Sequence, residues 1–280
     1  MHLRIPAKTF LVGEYAALCG QPAIVLTTEP CFELKKIPTP GLHGIHPLSP
    51  AGRWWTHSAR PDLGLQWYDP YHGCGGMGAS SAQFLGVYQA CAEHQGLTVE
   101  PEQLLQDYQR MAVTDSQRII PSGYDVLAQL FQGCVYIHRQ TTHYETCAWP
   151  FPDLGYLMIH TGKKLPTHDH LQALDLSPHT VAPLAKVVEQ AKSAFDTHNS
   201  AELIAAVNAY HQLLTLNSWV APHTQALIKQ LQTETDVLAI KGCGAMGADV
   251  MLLLVKQSQV NDQKHDLAAK GWKVLGNSSS

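Results

Sequence analysis

No stretch of this chain approaches the ~18–20 consecutive apolar residues that a bilayer span requires. The opening residues, Met1 to Pro6, hold no apolar segment ending in a cleavage site. A membrane anchor and a secretory leader are therefore not expected. Charge is scarce: 15% of residues are Asp, Glu, Lys or Arg, and 19 basic residues face 23 acidic ones, a formal net charge of −4. With no basic cluster, a nucleic-acid surface is not expected either. The seven cysteines (Cys19, Cys31, Cys74, Cys91, Cys134, Cys147 and Cys243) are odd in number, scattered and never in a C-x-x-C pair. That excludes a disulfide framework and fits a reduced, cytoplasmic protein. Sixteen histidines are present, but no H-E-x-x-H occurs and the one tight group is His168-Asp169-His170. Without ligand spacing they read as surface or loop residues rather than a metal site. No internal repeat is found.

Apolar residues make up 45% of the 280, enough for one large domain or two small ones with a real core. The most informative segment is Gly73-Cys74-Gly75-Gly76-Met77-Gly78-Ala79-Ser80-Ser81. Its glycines leave room for backbone N–H groups to approach an anion, and the apolar run from Phe84 to Ala92 predicts a helix directly after it. A glycine loop feeding a helix N-terminus collects free donors and the positive end of the helix dipole, which is the physical basis of a phosphate site. Ser80 and Ser81 stand where a helix cap or a Mg²⁺-coordinating hydroxyl is useful. The alternative is a glycine turn with a serine cap. No Gly-Lys-Ser/Thr follows, so this is not a Walker A loop, and no ribose-binding acid stands in the order a dinucleotide fold requires.

Along the chain, short branched runs predict strands at 23–27, 31–37, 134–137, 154–160, 250–255 and 271–275. Helices are predicted over 80–95, 101–114, 178–197, 200–216, 222–234 and 257–269, and another apolar run covers 126–131. Residues 38–72, rich in Pro and Gly, read as short strands and loops. Pro150-Phe151-Pro152-Asp153 reads as a linker, dividing the chain into residues 1–150 and 151–280. The Asn-Ser-Ser-Ser tail is expected to fray. Strands alternate with helices, so the class is α/β or α+β.

Four segments belong together: Pro6-Ala7-Lys8-Thr9-Phe10-Leu11-Val12-Gly13-Glu14-Tyr15, continuing to Gly20-Gln21-Pro22-Ala23-Ile24; the loop at 73–82; Pro121-Ser122-Gly123-Tyr124-Asp125-Val126; and Gly242-Cys243-Gly244-Ala245-Met246-Gly247. In order and texture they resemble the motifs of the GHMP kinases, and the resemblance runs from residue 4 to about 255. The first motif resembles the mevalonate kinase and phosphomevalonate kinase branch. The Arg-Asn signature of galactokinases is absent, and the Lys-Tyr-Trp-Gly-Lys opening of the related decarboxylases does not fit. Two departures stand out. Tyr15 replaces the histidine usual in mevalonate kinases, and Gln117, with Asp115 nearby, replaces a glutamate that helps hold Mg²⁺ in them.

The resemblance implies an α+β, two-domain GHMP kinase fold, with a ribosomal S5 domain 2-like N-terminal ATP-binding domain and a ferredoxin-like C-terminal domain. It implies ATP and Mg²⁺ as cofactors and a small hydroxylated substrate, mevalonate or 5-phosphomevalonate, and leaves a homodimer open. Gly73, Gly75, Gly76, Met77, Gly78, Ala79, Ser80 and Ser81 would cradle the phosphates, with Ser80 reaching the metal. Asp125 would take or orient the acceptor proton, unless it merely caps the following helix, and Lys8 would sit beside it. Glu14, Tyr15, Ser122, Gly123, Gly244 and Ala245 would line the substrate side, and Glu14 has two other readings, support of Lys8 or a turn cap. Asp249 and the pair Lys163-Lys164 rank lower, the lysines reading as an exposed turn.

Overall fold

A computed structural model describes residues 1–58, 62–113, 119–163 and 176–278, with Ala245 described by its backbone alone. Asp115, Gln117, Lys164 and the His168-Asp169-His170 group lie outside the described residues.

A ladder with the following strand makes β1 (His2–Val12) a strand, mostly buried beyond Arg4, rather than the mixed segment its composition suggests. It pairs antiparallel with β2 (Ala23–Ile37), with bulges between Ile5 and Ala7 and between Phe10 and Val12. Pro6 falls in the first bulge, where its missing N–H costs no ladder bond. The two strands expected at 23–27 and 31–37 are one, because Glu29 and Pro30 form an exposed bend within β2 rather than a break. β3 (Gly41–His43), β4 (Gly64–Tyr68), β5 (Cys134–His138) and β6 (His143–Cys147) complete a six-stranded sheet in the order β3-β4-β2-β5-β6, with β1 on β2.

The first sheet carries α1 (Pro50–Ser58), α2 (Ala79–Gln95), α3 (Pro101–Ala112) and α4 (Tyr124–Phe131). α1 lies where the sequence suggests only strands and loops. Trp54 stacks on Tyr88 of α2 with centroids 4.8 Å apart, and this tertiary contact outweighs a composition poor in helix formers.

The second sheet has the order β10-β7-β9-β8, built from β7 (Leu154–His160), β8 (Ala239–Cys243), β9 (Val250–Lys256) and β10 (Val274–Asn277). α5 (Pro178–Thr197), α6 (Ser200–Leu216) and α7 (Pro222–Glu234) connect β7 to β8, and α8 (Val260–Ala269) connects β9 to β10. All neighbours are antiparallel, and this split βαβ arrangement is the ferredoxin-like topology. β9 is buried at every position but its last, which explains its unbroken apolar run. The tail does not fray at Ser278: this residue is buried, its N–H donates to Tyr156 O at 3.0 Å, and its Oγ accepts from Tyr156 N at 3.1 Å.

The strands of the two sheets come from residues 2–147 and 154–277. The main core passes between them, joining Phe32, Tyr71 and Phe84 to Val181, Tyr210 and Leu252. A second core, with Leu231, Met251 and Leu267, backs the other side of the second sheet. Among the described residues no helix is long and apolar enough to cross a membrane.

Candidate active site

The glycine loop starts from Asp69, whose carboxylate accepts from the N–H groups of Tyr71 and Gly73, each at 2.8 Å. Two of its glycines are fixed by space as well as by positive φ. A Cβ on Gly76 (φ +85) would stand 2.6 Å from Val250 Cγ2 and 2.7 Å from Asp249 Cβ. One on Gly78 (φ +80) would stand 2.8 Å from Lys8 Cγ. Two of the loop carbonyls are engaged. Met77 O accepts from Lys8 N at 3.0 Å, and Gly78 O accepts from Ala82 N, from Ser81 Oγ at 3.0 Å and from Gln129 Nε2 at 3.2 Å. Among the described residues, the N–H groups from Gly75 to Ser80 have no acceptor. The result is a row of donors at the head of the 17-residue α2, whose N-terminus has no side-chain cap.

The two serines differ. Ser81 is buried and its hydroxyl is committed to Gly78 O, whereas Ser80 is exposed in the first turn. Ser80 is thus the hydroxyl open to a ligand. Among the described residues no group of three or more His, Cys, Asp and Glu side chains could hold a metal. The Ser80 hydroxyl is the described group at the head of α2 that could reach a Mg²⁺ ion.

Asp125 lies in the first turn of α4, half-buried. It is not the cap; Gly123 is, with φ +73, and a Cβ there would fall 2.1 Å from Leu105 Cδ1. The turn before it is pinned by Gln109, whose Nε2 donates to Pro121 O at 2.9 Å and to Ser122 O at 3.4 Å. Ser122 Oγ accepts from Tyr124 N at 3.4 Å, so Ser122 and Gly123 shape the helix start. The Tyr108 phenol abuts the Asp125 carboxylate. Burial first, then the charge of Asp125 and a hydrogen bond to it, push the Tyr108 pKa well above its usual value.

Gln129, one helical turn beyond Asp125, joins α4 to the other parts. Its Nε2 donates to Pro6 O at 2.9 Å as well as to the glycine loop. Lys8 runs along Gly78, with Nζ 5.1 Å from the Phe10 ring centroid. Lys8, the glycine loop and the Gln129 face of α4 are therefore one neighbourhood. No ion pair joins Lys8 to Asp125 among the described residues.

Glu14 and Tyr15 point elsewhere. Glu14 pairs with Lys241 of β8 at 2.8 Å, with side-chain exposures of 9% and 0%. Support of Lys8 is thus not its role; its cation is Lys241. Lys241 Nζ also donates to Phe10 O at 3.3 Å and lies 3.3 Å from Cys243 Sγ. The Tyr15 ring packs on Trp219, centroids 4.6 Å apart, and its hydroxyl accepts from Met246 N at 3.1 Å. That bond, with Ala221 N donating to Met246 O at 2.9 Å, fixes the loop carrying Gly244 and Ala245.

Three residues gain weight from the structure. Lys241 offers the sequence clue of a lysine inside an otherwise buried strand, Ala239–Cys243. Asp249 lies between the two glycine segments: besides its contact with Gly76, its Oδ2 would be 2.6 Å from a Cβ on Gly244. Lys273, just before β10, brings an exposed ammonium to 2.9 Å from Cys74 Sγ at the loop's rim, a contact no local pattern signals. Lys163 is exposed in a turn held by Thr161, whose Oγ1 accepts from Lys163 N at 3.3 Å.

No protein-family model matches this sequence, and no curated protein matches it. Solved structures do. Mevalonate kinase from Methanococcus jannaschii is 13% identical with a TM-score of 0.74, covering 100% of this chain and 98% of its own. Phosphomevalonate kinase from Streptococcus pneumoniae is 16% identical with a TM-score of 0.77, covering 99% and 98%. Galactokinase from Lactococcus lactis, solved with galactose, is 14% identical with a TM-score of 0.67, covering 99% and 91%. The chain has the GHMP kinase fold over its full length. Within that fold, its matches include both mevalonate kinases and phosphomevalonate kinase.

Proposed function

We propose that this chain is an ATP-dependent small-molecule kinase of the GHMP type, acting on mevalonate or 5-phosphomevalonate. The observation that carries the reading is the meeting of the acceptor-free N–H row, Lys8 and the Asp125-bearing helix in one neighbourhood, tied together by Gln129. The S. pneumoniae phosphomevalonate kinase, also solved with phosphomevalonate and AMPPNP, supports it by likeness.

In this reading the phosphates of ATP lie on the free N–H groups from Gly75 to Ser80, with Gly73 shaping the loop through its bond to Asp69, in a cleft between the halves 1–150 and 151–280. Ser80 is the residue that would hold a Mg²⁺ ion against the phosphates, and such an ion would supply charge neutralisation for phosphoryl transfer. Asp125 accepts the acceptor's hydroxyl proton, the freed oxygen attacks the γ-phosphorus, and the bond to the β,γ-bridging oxygen breaks to release ADP. The Lys8 ammonium offsets negative charge at the acceptor side. Tyr108 holds the Asp125 carboxylate toward the acceptor. Gly244 and Ala245 border the substrate, with Glu14 and Tyr15 acting on it by fixing that loop.

A second reading, a GHMP-fold binding or regulatory protein, draws on the irregular glycine motif and on Gln117, which stands where mevalonate kinases carry a Mg²⁺-holding glutamate. ADP release measured with mevalonate, phosphomevalonate, homoserine and galactose, with CO₂ monitored in parallel, separates them. Turnover with one of the first two supports the proposal. Turnover only with homoserine or galactose reassigns the acceptor. ATP binding without turnover supports the binding protein, and CO₂ release points to a decarboxylase.

A further inference from the structure

Cys134 and Cys147 are directly opposed partners in the antiparallel pairing of β5 with β6. Opposed residues of such a pair hold their Cα atoms roughly 4.5–5.5 Å apart with side chains on one face. That separation falls within the ~4.4–6.8 Å a disulfide spans. Both are free thiols, Cys134 buried and Cys147 exposed, and Cys147 Sγ lies 3.9 Å from Cys134 O. Both line a cavity of about 230 Å³ shared with Tyr136, Phe195, Lys192 and Asp196, and none of its lining belongs to the candidate active site.

The two sulfurs also differ in acidity. A hydrogen bond from Cys134 holds the Cys147 thiol below its ordinary value; Lys192 adds to this, while burial, Glu145 and Asp196 oppose it. The same bond, followed by burial, drives Cys134 far upward. Elsewhere, burial raises Cys19, and burial with the Glu29 carboxylate raises Cys31 to about 11. Cys147 is thus the exposed and more acidic member of the pair and Cys134 the buried one, the asymmetry expected of an attacking and a resolving thiol.

We propose that Cys147 and Cys134 form a redox-modification site whose oxidant is a low-molecular-weight disulfide such as glutathione disulfide. The Cys147 thiolate attacks one sulfur of that disulfide, forming a mixed disulfide and expelling one glutathione thiolate. Cys134 gives up its proton to water and attacks Cys147 Sγ; the mixed disulfide breaks, the Cys134–Cys147 bond forms, and the second glutathione thiolate leaves. Two protein thiols are oxidised and one glutathione disulfide is reduced.

The test is non-reducing peptide mapping of the full chain after incubation with glutathione disulfide. Trypsin cleaves after Arg139, between the two cysteines, so the bond would join the peptides 119–139 and 140–163. The expected result is that linked pair in the wild type, a stable glutathione adduct on Cys147 in Cys134→Val, and neither product in Cys147→Ser. Unlinked peptides in the wild type while other cysteines react, or Cys147 joined to a different cysteine, would overturn the proposal. Competitive alkylation of the wild type guards against misfolded variants. Cys147 should react about tenfold or more faster than Cys19 and Cys31 at neutral pH, and equal rates would count against the site.

Discussion

Lys241 and Glu14 meet 2.8 Å apart in the seam between the two sheets, the lysine fully buried and the glutamate nearly so. Burial by itself disfavours the ammonium. The Cys243 sulfur and the Glu14 carboxylate outweigh that, and the Lys241 pKa lies above the ordinary lysine value. Glu14 follows the first strand and Lys241 belongs to the second sheet, so the pair fixes how the two halves register at the candidate site.

Lys241→Met should therefore cost about 3–5 kcal/mol, the usual penalty for leaving one member of a buried pair unpartnered. Adding Glu14→Gln should recover much of the loss, because the isolated charge is gone. Urea unfolding of both single variants and the double variant measures the coupling. Strict additivity would mean that the two charges do not sense each other.

Alkaline pH should unfold the chain early. Burial pushes Tyr124 and Tyr156 up to about 12, and burial with Asp107 does the same for Tyr88. An unfolded tyrosine ionises near pH 10, so above that point the unfolded state binds fewer protons than the folded one and stability falls with rising pH. Lys241, also raised, acts in the same direction. Unfolding midpoints should be level up to about pH 10 and drop from there toward pH 12, with phenolate absorbance appearing together with unfolding. Smooth ionisation of all ten tyrosines near pH 10 in a still-folded chain would contradict these burials.

The adjacent serines should separate cleanly. Ser81→Ala removes the bond to Gly78 O and should cost about 1 kcal/mol of stability. Ser80→Ala should leave stability within about 0.5 kcal/mol, yet lower turnover at limiting Mg²⁺ by about tenfold or more, the scale of a lost metal contact. Calorimetry and a Mg²⁺ titration of ADP release distinguish the two. A Ser80 variant indifferent to Mg²⁺ would remove that hydroxyl from the metal.

Much of the fold was legible because strong local patterns coincided with tertiary demand. β9 is an unbroken apolar run because both its faces are covered, and the helices from Pro178 to Glu234 carry clear starts, as where Asn199 Oδ1 accepts from Glu202 N at 3.2 Å. α1 was not legible, since tertiary contacts make the helix worthwhile there: Trp54 packs on Tyr88 and Phe84, and Arg53 donates to Met111 O and Val113 O. The candidate site divides in the same way. The glycine loop shows in composition, but the partner of Glu14 lies 227 positions away and is set by sheet packing. Tyr108 and Lys273 reach Asp125 and the glycine loop through tertiary folding alone.

Gly78→Ala should strike the nucleotide without touching Asp125. The new methyl group would meet Lys8 Cγ at 2.8 Å and Cε at 2.9 Å, at a φ of +80° that L-residues rarely adopt. Relief requires the loop to turn, which also disturbs the bonds from Lys8 N to Met77 O and from Gln129 to Gly78 O. ATP affinity, read by isothermal titration, should fall about tenfold or more, since the row of N–H donors loses its alignment. ATP affinity at the wild-type level would separate the loop from the nucleotide.

Asp125→Asn tests the opposite end of the site. Asparagine keeps the size of the side chain and its place in the first turn of α4, so stability and ATP binding should stay near wild type. It cannot accept a proton, and it presents an amide to the Tyr108 phenol in place of a carboxylate. Turnover should fall by about 10²–10⁴, the usual contribution of a positioned general base, with kcat and kcat/KM reduced together because the lost interaction belongs to the transition state. Tyr108→Phe should give a milder form of the same defect, since the carboxylate remains but loses the hydrogen bond that orients it. If Asp125→Asn turns over normally while Tyr108→Phe impairs the enzyme, the carboxylate is a structural partner of the phenol and the proton must go elsewhere.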